Sequence, residues 1–328
     1  MSTIGKLIGY AAILAVALFG AFGIGKAVGP VGPTAGAEEQ DGEQHDMAAD
    51  EQAGHGGDHA ASGVTLDAGG YRLGQVSAPG EIGEAGEIAF TVFDAVGAAV
   101  TDFEVSHEQE LHLVVVRADG SHFEHVHPER DEQGEWTLPW TPKAAGTYRV
   151  YADIVPAETG DPLTLSSTVQ VAGDYRPEAF EETVTTVSVD GYEVSLDGEL
   201  TAGEGSPATV SVTRDGEPVT ELEPYMGAFG HLTGLRHGDL AYLHVHPHGE
   251  EPQPGDEGGP EIEFEITAPT EGRYLLYLDF KVDGQVHTAG FVVDAQSGSP
   301  DHDGADHGSG NDSGGHEHEE GDSHDHAE

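Results

Sequence analysis

Runs of β-branched and aromatic residues recur along the chain, at 88–93, 111–116, 148–154, 166–171, 193–196, 209–212, 262–266 and 274–280. Gly, Pro and Asp punctuate the intervals between them, the pattern of short strands joined by turns. Beyond an apolar run near the start, no stretch repeats its apolar positions with a helical period. The pattern predicts an all-β molecule. In each half the alternation also fixes faces: Phe123, His125 and His127 share one side of a strand, and Val126 takes the other.

A repeat defines the halves. The run Phe123-Glu124-His125-Val126-His127-Pro128 returns as Tyr242-Leu243-His244-Val245-His246-Pro247, and His112 precedes His125 by the same interval as His231 precedes His244. An ungapped offset of 119 aligns 100–128 with 219–247, and the strand 146–153 answers to 272–279 at an offset of 126. The second copy therefore carries a seven-residue insertion, which the Pro/Gly/Glu-rich loop 250–260 accommodates. Two copies of one supersecondary unit imply two domains. The expected fold is two tandem immunoglobulin-like antiparallel β-sandwiches of about seven strands each, at 63–174 and 183–295, with the joint near 176–183.

The hairpins then place the histidines. Asp119-Gly120 is a strong signal for a two-residue turn. It sets Ala118 opposite Ser121 and so His112 opposite His127, with His125 diagonal to them on the same face. In the second copy, the equivalent turn at Gly238-Asp239 sets His231 opposite His246; a four-residue loop preserves this register, whereas a bulge or a three-residue loop breaks it. The expectation is one aromatic-walled patch of three imidazoles per domain, with Phe123 and Tyr242 on the histidine faces and Leu243 and Val245 pointing away.

Three neutral imidazoles at this spacing suit a borderline or soft transition metal, chiefly copper or else zinc, with one coordination position open. Hydrogen-bonded sheet histidines are the plain alternative, and retention of all three in both copies favours the metal. The primary candidate ligands are His112, His125, His127, His231, His244 and His246. Four further candidates are secondary. Met226 stands where the first copy has His107, and it either supplies a thioether to Cu(I) or fills core space. Asp153 and Asp279 interrupt apolar strands at equivalent places, as ligands, as acceptors for an imidazole N–H, or as solvated strand ends. His122, His237, His248 and His287 have no counterpart and read as surface residues.

Composition narrows the function. With 61 acidic and 12 basic residues the formal net charge is −49, which argues against nucleic acid as a partner. The acidity reads as adaptation to salt or plain solubility, or as a surface that concentrates cations. The absence of cysteine excludes disulfides, thiolate metal sites, c-type haem attachment and blue copper. Residues 7–25 are uncharged and mostly apolar between Lys6 and Lys26, and as a helix they span about 28 Å. Within an N-terminal segment 1–30 this reads as a retained membrane anchor that leaves the remainder outside the cytoplasm, single-pass; the alternative is a signal cleaved at Ala35-Gly36-Ala37, giving a secreted protein. Segment 31–62 is an acidic stalk and 296–328 a His/Asp/Glu-rich tail, both expected to be disordered and to bind metal weakly.

At the repeated His-Val-His-Pro and the Tyr-Ala-Asp strand, the chain resembles exported, often membrane-anchored actinobacterial proteins with tandem immunoglobulin-like domains, distantly similar to YtkA-like domains. The resemblance covers roughly 63–295 and rests chiefly on 221–247. It implies a heavy-metal or copper-associated role outside the membrane and no established reaction. Where the second copy has Met226 and Gly227-Ala228 the first has His107 and Glu108-Gln109, so the two sites need not take the same ion. The function expected is metal buffering or transfer to a partner protein. The other reading is a cell-surface interaction module without metal. Catalysis is not expected, because no His-Glu-X-X-His, Gly-X-Ser-X-Gly or paired acid/base carboxylates accompany the histidines.

Overall fold

A computed structural model describes residues 63–298 except His244, Glu250 and Pro254, and His246 through its main chain. The anchor, stalk and tail expected at 1–30, 31–62 and 296–328 lie outside the described residues, apart from 296–298. Among the described residues no helix is long and apolar enough to cross a membrane.

The described chain is all-β, as its alternation predicts. In the first sandwich one sheet runs Asp67–Ala68, Tyr71–Leu73, Gly86–Phe93, Glu135–Trp140, Glu129–Arg130. The facing sheet runs Glu124–Val126, Leu111–Arg117, Gly146–Ile154, Leu163–Val171. The second sandwich repeats the plan. Thr186–Val189, Tyr192–Asp197, Gly205–Arg214, Glu261–Thr267 and Val245–Pro247 form one sheet. Leu200–Thr201, Gln285–Gln296, Gly272–Val282, Gly230–Arg236 and Tyr242–Leu243 form the other. In both halves the chain after the hairpin crosses from one sheet to the other, which closes the sandwich.

The strand Leu111–Arg117 is buried on both faces. Leu111, Leu113 and Val115 enter the core of their own sandwich beside Phe90, Trp136 and Val150. Val114 and Val116 point the other way, into a third cluster shared with Leu235, Leu240, Tyr242, Leu275 and Tyr277 of the second half. A strand covered on both sides needs an unbroken apolar run rather than an alternating one. The two inner sheets thus pack outer face to outer face.

Two buried hydroxyls clamp this junction reciprocally. Tyr151 donates to the Leu240 carbonyl, and Tyr277, its counterpart, donates to the Gly120 carbonyl. Phe123 stacks on Tyr277 at 4.0 Å between ring centres. The joint is pinned to both halves. Arg117 donates to the Arg176 carbonyl, Glu178 N–H donates to Asp119, and Arg273 donates to the Phe180 carbonyl.

Candidate metal centre at the junction of the sandwiches

The hairpin register that aligns the histidines is present in both halves, through different turns. In the first, Leu113 faces Val126 and Val114 faces His125, the register in which His112 lies opposite His127. The expected two-residue turn is not what produces it. Gly120 N–H donates to Arg117 O and Arg117 N–H to Ser121 O, so Ala118, Asp119 and Gly120 form a three-residue loop with Gly120 at φ 93. That loop by itself shifts pairing by one residue. His122, at φ 53, is the extra residue that restores it. Asp119 favours this tight geometry by accepting from Ser121 N–H and Oγ–H and from the Arg117 guanidinium. In the second half, Arg236 N–H donates to Ala241 O and Leu240 N–H to Arg236 O. This four-residue loop needs no correction and leaves Gly234 opposite Leu243.

Side chains follow the pleat. Phe123 and Tyr242 join the junction cluster, while Val126, Leu243 and Val245 turn into the cores of their own sandwiches. Beyond Leu243 the chain leaves its hairpin partner early. The main chain of His246 pairs with Glu265 in the other sheet, so the ladder does not reach His231 and His246. His244 lies outside the described residues.

Three ring nitrogens converge in the first half. His112 Nδ1 lies 3.2 Å from His125 Nε2 and 3.3 Å from His127 Nε2, and the three nitrogens form a group able to hold an ion. The opposite edges of two rings are already committed. His112 Nε2–H donates to the Ser106 carbonyl at 2.9 Å, which can only accept. His125 Nδ1–H donates to Asp279 Oδ2 at 3.0 Å, with both side chains nearly closed to solvent at 4% and 3% exposure. With those edges donating, the neutral rings turn two lone pairs toward each other at 3.2 Å. Only an electrophile between them, a proton or a metal ion, makes that contact favourable.

Electrostatics disfavours the proton on His112. Burial lowers its pKa to about 3, assisted by the neighbouring imidazoles, while the Ser106 carbonyl pulls the other way. Burial likewise holds His127 near 4. The separations match an ion. Nitrogen ligands at about 2.0–2.1 Å around a tetrahedral centre stand about 3.3 Å apart. The acceptors at Ser106 and Asp279 are the outer partners that fix tautomer and ring orientation for a ligating imidazole.

Of the remaining candidates, His231, His107, Asp153 and Asp279 meet at this same junction. His231 Nε2–H donates to the Met226 carbonyl at 2.8 Å, and burial lowers its pKa to about 4. Its ring centre lies 6.2 Å from both His112 and His125 and 5.0 Å from His107. A cavity of about 90 Å³ between the halves is lined by His107, His112, His125, Asp153 and His231 among others. Asp279, opposite His231 in its ladder, is the cross-domain acceptor just described. Asp153, opposite His112, lines the cavity and accepts from the Thr164 hydroxyl.

His107 and Met226 occupy equivalent tight turns with positive φ, closed by Ser106–Gln109 and Tyr225–Ala228 hydrogen bonds. His107 is exposed, whereas Met226 is buried to 1% and reaches the site through its carbonyl. His237 and His248 are exposed and His122 half-buried. His287 is not a surface residue: it is 7% exposed, packs on Tyr192 and Phe280, and its Nδ1 donates to Asp190. Its place in the alternating series with Ala289 and Phe291 is the signal for that burial. Ser106 was not foreseeable from residue type, because it acts through its main chain.

The chain belongs to the family described as Domain of unknown function (DUF8832), which matches it twice, over residues 65–173 and 186–297. No curated protein matches it. Among solved structures it is similar to a mutant of Salmonella alpha-2-macroglobulin at 17% identity and a TM-score of 0.25, covering 72% of this chain and 15% of that one. It is similar to invasin, a bacterial integrin-binding protein, at 14% identity and a TM-score of 0.21, covering 70% and 39%. Domains 4 and 5 of the S-layer protein SbsC match at 11% identity and a TM-score of 0.22, covering 69% and 96%. The chain thus spans a minor part of the first two.

Proposed function

We propose that this protein binds a transition metal outside the cytoplasm, copper in the first place and zinc as the alternative, and buffers the ion or hands it to a partner protein. Residues 7–25 tether it to the membrane, or direct its secretion if they are removed. It performs no catalysis. The observation that carries this reading is the 3.2 Å approach of two imidazole nitrogens whose other edges are held by Ser106 and Asp279. Convergent lone pairs in a buried site cost free energy unless a cation occupies the space between them.

The stalk and tail add exchangeable His and acidic ligands that raise the local ion concentration. Copper and zinc stoichiometry of the full chain, set against a variant with His112, His125, His127, His231, His244 and His246 replaced, tests the reading. The intact chain should hold at least one ion more than the variant, and that ion should raise its melting temperature by mass action. Equal binding by both, with no thermal shift, overturns it and leaves a tandem-sandwich interaction module.

A further inference from the structure

We infer that His107 and His231, one from each sandwich, form a transit site through which the ion enters and leaves the triad on its junction side. This rests on the metal-binding reading above and adds the route. Ser106 and Asp279 take two sides of the triad and His127 is half-buried, while toward the junction His112 and His125 line the small cavity of about 90 Å³ between the halves. A far larger groove of about 740 Å³ lies outside, walled by residues 227–229, the inserted loop and the acids Glu251, Glu261 and Glu263. Among the described residues, His107 alone lines both.

The rings form a series. His107 is exposed and stands 5.0 Å from His231, which in turn stands 6.2 Å from two rings of the triad. The Met226 carbonyl takes the Nε2 proton of His231, leaving Nδ1 as a lone pair on a neutral ring. A three-coordinate ion has a position open for a fourth nitrogen. It can therefore gain His231 before releasing a triad ring and gain His107 before releasing His231, with no change of oxidation state. The duplication is informative here: the turn that buries Met226 in one half presents His107 to solvent in the other.

The test uses the full chain, His107→Asn, and a triad-less control with His112, His125 and His127 replaced, which accounts for ions held by the tail. Asparagine tolerates the positive φ at this turn. Zn(II), and Cu(I) under reductant, are each supplied from and withdrawn into a chromophoric chelator in stopped flow. His107→Asn should slow uptake and release together by about tenfold, with affinity and stoichiometry unchanged. Unchanged rates overturn the route, and so does a loss of affinity carried by release alone, which makes His107 an ordinary ligand. If the intact chain draws no more ion than the control, the metal-binding reading itself fails; if it does but His107→Asn exchanges as fast, only the route fails.

Discussion

The two halves share a plan and differ in what they do with it. The first reaches its register through a three-residue loop corrected by His122, the second through a four-residue loop. The first keeps its hairpin paired through Val126, whereas the second has crossed to the other sheet by Val245. The first gathers three imidazoles, and the second sets His231 beside them and lends Asp279 as a partner for His125. Among the described residues, the duplicated sequence preserves a strand register, and His231 of the second copy stands beside the imidazoles of the first.

That asymmetry can be broken experimentally. His112→Asn should lower zinc affinity by about 100-fold or more, since it removes the ring at the centre of the convergence, whereas His231→Asn should cost less than about tenfold. Competition titration against a chelator reads both, and equal losses would restore two equivalent sites. Asp279→Asn should weaken binding by about 10–100-fold from the other half of the molecule, by releasing the orientation of His125. Isothermal titration at constant pH measures it, and no change would confine the site to the first sandwich.

A smaller effect tests the symmetric part. Tyr151→Phe and Tyr277→Phe each remove the donor to a buried carbonyl, and each should cost about 1–3 kcal/mol in urea unfolding. A large difference between them would show that the clamp is not reciprocal.

Acidity tests the same rings in the metal-free protein. His112, His127 and His231 have pKa values lowered by burial to about 3, 4 and 4. The unfolded chain, with imidazoles near their ordinary value, therefore binds more protons than the folded one between about pH 6.5 and pH 4. Stability of the metal-free protein should fall as pH drops through that window. Replacing the three rings by asparagine should flatten the dependence, measured as the difference in melting temperature between pH 7 and pH 4.5.

Much of this was legible in the sequence. The Asp119-Gly120 and Gly238-Asp239 signals located both hairpins, and alternation correctly assigned Phe123, Tyr242, Val126, Leu243 and Val245 to their faces. The details of the first turn were not legible, because a three-residue loop with a compensating bulge gives the same register as a two-residue turn. Nor was the meeting of the halves. Period-two alternation separates two faces of a strand but does not say that the second face meets another sheet. The clue was present in the unbroken run Leu113 to Val116, too apolar for a strand with one face in water. His287 illustrates the converse: the absence of a repeat partner says nothing about burial.

The reciprocal tyrosine hydroxyls at Leu240 and Gly120 have one more consequence. Each half offers the other the same kind of patch, the self-complementary contact by which separate identical subunits pair about a two-fold axis. Identical subunits are bound to that symmetry, since any substitution appears on both sides at once. Linking them in one polypeptide lifts the restriction, so a lone imidazole can face solvent at His107 while its twin position is filled by the thioether of Met226.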